Sequence, residues 1–148
     1  MPSNQPREEP AISAQQPDTD GQAVAAEAPG AQRQALGAQI SNEMVRLYKE
    51  LFGRGPTQAR TSFAGPDTII VTLEDSLTPA ERTLADMGEH QRLRDVRLFF
   101  QHARAEDFRE VIESATGRRV RAFVSGIDTA NDVSAEVFYL ESDGAPRA

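Results

Sequence analysis

The chain has 148 residues, enough for one domain and too few for two. Sixteen basic against 23 acidic residues give a formal charge of −7 and an isoelectric point near 4.8, which argues against a bulk nucleic-acid binder. The absence of cysteine excludes disulfides, thiolate nucleophiles, Cys-ligated zinc and iron–sulfur clusters.

The apolar runs around Thr68–Val71 and Val96–Phe100 fall far short of the roughly 20 residues a membrane span needs. The opening residues, MPSNQPREEP, have neither a basic n-region nor an apolar h-region, so they do not read as a secretory signal. The expected location is the cytoplasm, with any membrane contact peripheral to the inner face.

In chain order, residues 1–30 come first. They hold Pro2, Pro6, Pro10, Pro17 and Pro29, with one basic and five acidic residues and almost no large apolar side chain. Such a segment cannot bury enough surface to offset an ordering cost of about 1–2 kcal/mol per residue. It reads as a disordered tail, followed by one domain over 31–141 and a frayed C-terminus over 142–148. A helix is expected from Gln32 to Phe52, because Leu36, Ile40, Met44, Leu47 and Leu51 form one stripe, widened by Tyr48 and Phe52. The stripe is long for a small sheet to cover, which points to a homodimer. Gly53 and Gly55-Pro56 end the helix. The Gly-Arg-Gly-Pro run follows a helix and is not GxxxxGK[ST], so it reads as a cap rather than a phosphate loop.

Two short extended segments follow, Arg60–Phe63 and Thr68–Leu73, joined through Gly65-Pro66-Asp67. They read as a hairpin with Ile69, Val71 and Leu73 on one face. Thr78-Pro79-Ala80-Glu81 is a capping box with Pro at the first helical position. Gly88 breaks or bends that helix. A second stretch runs from Glu89 to Ala103 with Leu93, Val96, Phe99, Phe100 and Ala103. A third runs from Glu106 to Thr116 with Phe108, Val111, Ile112 and Ala115, stopped by Gly117. Two strands close the domain. Val120–Ile127 sets Val120, Ala122 and Val124 against Arg121, Phe123 and Ser125. Val133–Leu140 sets Val133, Ala135, Val137 and Tyr139 against Ser134, Glu136, Phe138 and Leu140. The order α-β-β-α-α-α-β-β with short links implies an α+β domain, an antiparallel sheet of about four strands packed against helices.

Motifs for chemistry are sparse. His90 and His102 lie twelve apart with no HExxH, so they read as surface residues and no metal site is expected. There is no GxSxG and no pairing of a nucleophile with a base. Nothing in the chain calls for a cofactor. The chain does favour arginine, with Lys49 the one lysine. Arg92, Arg94 and Arg97 fall on the middle helix, and Arg118, Arg119 and Arg121 open the third strand. The guanidinium fork suits carboxylates and phosphates. These six are the candidate anion- or partner-binding residues. Their alternative use is internal pairing with Glu89, Asp95, Glu106 or Asp107.

Four pieces of sequence carry a resemblance. They are Gly53-Arg-Gly-Pro56 after the helix from Ile40, Leu73-Glu-Asp-Ser-Leu-Thr-Pro-Ala-Glu81, Thr116-Gly-Arg-Arg-Val120, and Ser125-Gly-Ile-Asp128. As an ordered set spanning about 40 to 141, they resemble a family of small bacterial proteins first described as a domain of unknown function. It was later named for MpsC, of a sodium-translocating membrane potential-generating system. The resemblance implies a soluble accessory or regulatory protein that binds a partner, possible membrane transport proteins among them. It supplies no catalytic residues. The alternative is a small-anion sensor or enzyme built on the arginine cluster.

Overall fold

A computed structural model describes residues 20–142, with side chains from Gly30 onward. Eight elements follow in order: α1 (Asp20–Phe52), β1 (Gln58–Phe63), β2 (Thr68–Glu74), α2 (Pro79–Asp86), α3 (His90–Ala103), α4 (Ala105–Thr116), β3 (Val120–Asp128) and β4 (Val133–Leu140). The α+β class and the expected element order are both observed. All strand pairings are antiparallel, and the spatial order is β1-β2-β4-β3. The last strand therefore inserts between β2 and β3.

α1 begins at Asp20, twelve residues before the expected Gln32. The expected tail thus falls partly on this helix and, for residues 1–19, outside the described residues, as do 143–148 of the expected frayed end. The stripe behaves otherwise than a dimer argument needs. Ile40, Met44, Leu47 and Tyr48 are buried, and Leu36, Leu51 and Phe52 pack against the same core. The chain's own sheet covers the helix. Gly53 takes φ 78°, and its N–H donates to the Lys49 carbonyl at 2.9 Å, the left-handed stop that a glycine permits.

The hairpin pairs Phe63 with Ile69 through to Gln58 with Glu74. Ile69, Val71 and Leu73 alternate inward as their spacing requires. The capping box is complete: Thr78 Oγ1 accepts from Glu81 N, and Glu81 Oε1 accepts from Thr78 N. Phe108 and Ile112 of α4 complete the core, and Phe108, Phe123 and Phe138 form a stack with centroids 5.1 and 4.9 Å apart.

One register detail changes the reading of β3. A bulge falls between Val120 and Ala122. The extra residue, Arg121, moves later positions to the other face. Val120 points into the core, and so does Phe123 three residues on. Ser125, rather than Val124, then faces inward, opposite Glu136, while Val124 is 54% exposed.

Candidate functional site

The helix-covered side of the sheet holds a polar cluster that begins with Glu136. β4 alternates, so burying Phe138 and Leu140 also turns Ser134 and Glu136 inward. Glu136 is fully buried. Its Oε1 accepts a hydrogen bond from Tyr48 Oη at 2.5 Å and another from Gln101 Nε2 at 2.9 Å. One carboxylate oxygen thereby ties α1 and α3 to the sheet. Among the described residues, Oε2 and Gln101 Oε1, Ser125 Oγ and Ser134 Oγ reach no partner at ordinary hydrogen-bond geometry. Burial pushes the Glu136 carboxyl up to about 7, against the opposing pull of Ser125, Tyr48, Arg97 and Gln101. Burial and the neighbouring Glu136 likewise hold the Tyr48 phenol well above its ordinary range.

Beside this carboxyl lies Arg97, also fully buried. Its Nε donates to Glu81 Oε2 at 2.6 Å and its Nη2 to Glu81 Oε1 at 2.7 Å, a two-pronged pair. Nη2 also donates to the Ser76 carbonyl at 3.0 Å, and the guanidinium lies 3.7 Å from the centre of the Phe52 ring. Burial raises the Glu81 carboxyl, but Arg97 and Thr78 outweigh it and hold the group below its ordinary range. Glu81 therefore serves twice, in its helix cap and as the counter-ion of a core arginine.

A second polar group closes the same end of the sheet. Arg54 donates to the Asp75 carbonyl at 2.6 Å, to Asp75 Oδ2 at 2.9 Å and to the Leu77 carbonyl at 3.1 Å. Arg82 pairs with Asp75 and lies 3.6 Å from Asp132. The Asp132 carboxylate accepts from Ser76 N and Leu77 N. Asp75 and Asp132 both take positive φ, 58° and 53°. A cleft of about 400 Å³ opens here, with Glu74, Asp75, Arg82 and Asp132 in its wall. The Gly-Arg-Gly-Pro and Leu-Glu-Asp-Ser-Leu pieces of sequence meet in this network, through Arg54, Asp75 and Leu77.

The six arginines singled out from sequence are divided. Arg97 is enclosed, as described. Arg118 binds the Pro66 carbonyl, the Asp67 carboxylate and the Glu141 carbonyl. Arg92 is 72% exposed and lies 3.8 Å from Glu89, one of the internal pairings foreseen. Arg94 donates to Gln91 Oε1 at 3.2 Å and borders a cleft of about 530 Å³ with His90, Asp128 and Thr129. The Asp128 carboxylate there offsets the charge an anion would seek. Arg119 is exposed, and Arg121 lies 5.3 Å from the centre of the Tyr139 ring. Arg94 neighbours the Ile127 end of β3 and Arg118 precedes its start, so about 20 Å of strand separates them. His102 is exposed, and His90 Nδ1 lies 2.7 Å from Thr129 Oγ1. Among the described residues no group of three or more His, Cys, Asp and Glu could hold a metal ion.

Sequence spacing gives Glu81 its cap, Tyr48 its place in the α1 stripe and Glu136 its parity in β4, but marks none of them, nor Gln101, as part of a buried polar cluster. Shared parity with Phe138 and Leu140 was the signal for Glu136. The polar cluster has no accessible nucleophile, and Glu136 has no solvent-facing surface from which to take a substrate proton. Its chemistry is to join α1, α3 and β4 through one proton-sensitive group.

Among the described residues no helix is long and apolar enough to cross a membrane. No curated protein and no solved structure matches the chain. The family described as the Na+-translocating membrane potential-generating system (MpsC) matches over residues 32–142, nearly all of the described fold. The chain belongs to the MpsC family.

Proposed function

We propose that the protein is a non-enzymatic accessory subunit that binds a protein of a sodium-translocating membrane system, from the cytoplasmic side, through the outward face of α3. The observation that carries this reading is the inverted polarity of that helix. α3 turns Arg97 and Gln101 into the core with Leu93, while Phe99 is 68%, Val96 44% and Phe100 40% exposed. Arg92, Val96, Phe99 and Ala103 step by 4, 3 and 4 residues and form one outward stripe. Met87, just before α3, is also 68% exposed. Adjacent apolar side chains facing water suit a partner, and Arg92 at the rim suits an acidic one. The family name supports a membrane-associated partner.

The test is fractionation of cells producing the full chain. Wild type should sediment in part with membranes and release at high salt. Phe99→Glu should move to the soluble fraction with an unchanged melting temperature, because the ring packs outside the core. Wild type found wholly in the soluble fraction, or a variant that still sediments, would remove this reading.

A further inference from the structure

The other side of the sheet has its own inversion. The outward residues of β4 are Val133, Ala135, Val137 and Tyr139, all apolar, on a central strand whose inward side carries Ser134 and Glu136. α1, α3 and α4 all contribute to the inward side, through Tyr48, Gln101 and Phe108. The register fixes rows across the open face. Ile70, Val137 and Val124 lie side by side, a bulky row. The next row is Thr72, Ala135 and Gly126, small on these three strands and ending at Arg60 on β1, while the bulky row ends at Ser62 there. At one end beyond the bulky row, the β3 bulge places Arg121 over Tyr139. At the other end, beyond the small row, lie Glu74 and Asp128, flanking Val133.

We propose that this face is a two-fold interface with a second copy of the chain, the axis lying between the two sheets and across their strands. That operation keeps each strand over its counterpart and reverses the rows. The bulky row of one copy then meets the small row of the other, twice. Each Arg121 end meets the Glu74–Asp128 end of the second copy. Such self-matching is the requirement of an isologous contact, and a different protein would have no reason to mirror it.

Gly126 supports this occupant independently. Its φ is not positive, and a Cβ built there meets nothing within 4 Å. The isolated chain has no need of glycine at this strand position, where glycine weakens a sheet and often marks the close approach of another backbone. Four strands roughly 4.8 Å apart and about seven residues long present roughly 400 Å² per copy. With the rims included, the contact falls at the small end of specific interfaces, so a micromolar dimer is expected. The stripe on α3 belongs to the opposite layer and stays free in both copies.

The experiment is sedimentation equilibrium of the full chain across a concentration series, with melting temperatures measured alongside. Wild type should show a monomer–dimer equilibrium that weakens as salt rises. Gly126→Val should weaken it at least tenfold and melt no lower than wild type, because the new side chain has room in the monomer. Arg121→Glu should also weaken it about tenfold, and Val124→Ser, at an exposed position, provides the same test should Gly126→Val fold poorly. A wild-type chain that stays monomeric at millimolar concentration overturns the proposal. So does a dimer that keeps its affinity in the folded variants, which would place the contact on α3 or elsewhere.

Discussion

Replacing Glu136 with glutamine should stabilise the protein at neutral and alkaline pH and change little in acid. The carboxyl titrates near 7 in the folded chain against an ordinary 4.5. The folded state therefore holds the proton more tightly than the unfolded state does. The resulting stability is fully present below about pH 4.5, declines as pH rises, and is lost once pH passes 7. Each tenfold difference in proton affinity between the two states is worth about 1.4 kcal/mol, so the loss between those limits is about 3 kcal/mol. Glutamine has no charge to bury. Its oxygen can replace Oε1 as acceptor for Tyr48 and Gln101. Its amide can donate toward Ser125, which lies opposite it across the β3–β4 pair.

The assay is urea unfolding of both proteins between pH 4 and pH 9, read as the difference in midpoint times slope. Subtracting one curve from the other removes the opposing trend from Asp75, Asp128 and Glu81. Those groups are held below their ordinary values and lose their stabilising contribution as pH falls. The difference should be near zero at pH 4 and grow to about 3 kcal/mol by pH 8, on the order of 10 °C in melting temperature. A difference independent of pH, or a variant less stable than wild type at pH 8, would refute the assignment of Glu136 as a buried, proton-dependent joint.

Two further predictions concern neighbouring groups. Arg97→Ala should cost about 3–5 kcal/mol, because it leaves Glu81 partly buried without its counter-ion; Arg92→Ala, whose pair is exposed, should change stability by less than about 0.5 kcal/mol, and equal losses in thermal melts would contradict this placement of the two side chains. Thr78→Ala should cost about 1 kcal/mol by removing the cap, whereas Glu81→Ala should cost clearly more in the same melts, since it removes both the cap partner and the bidentate bond to Arg97.

The parts of the fold that were legible in the sequence depend on short-range spacing. The Thr78 box, the glycine stops at Gly53 and Gly117 and the stripe on α1 each need only a few adjacent residues to specify them. The pairing order was not legible, because alternation in β4 does not say which strands lie beside it. Nor was the bulge at Arg121, which adds one residue without any glycine or proline to mark it and reverses the faces of Ala122 to Asp128. The arginines were visible as a set, but residue type alone does not separate a guanidinium that fills the core from one that faces solvent. Arg97 is told from Arg92 by Leu93 at i−4, which is buried, and by the distant Glu81.

Glu136 and Arg97 follow from one physical rule. A strand with period two and a helix with period 3.6 can each be turned only as a whole. The outward parity of β4, Val133, Ala135, Val137 and Tyr139, is the more apolar of its two, so β4 does not choose its own facing. It is paired with β2, where Ile69, Val71 and Leu73, opposite Phe138, Glu136 and Ser134, are buried, and burial of large side chains gives about 1.5–3 kcal/mol each. These β2 residues set the parity, and Glu136 is carried inward with them. Leu93 sets the rotation of α3, and Arg97 and Gln101 follow at four-residue steps. The cost of the enclosed polar groups is offset by bonding them to one another and to Tyr48, Glu81 and Ser76. The same rotations turn Phe99 and Val96, and Val137 and Val124, toward solvent. Enclosed polar groups on one side of an element and exposed apolar groups on the other are thus one feature. The two surfaces proposed above, on α3 and on the open sheet face, address both halves of it, because covering the outward residues recovers burial that the inward choice gave up.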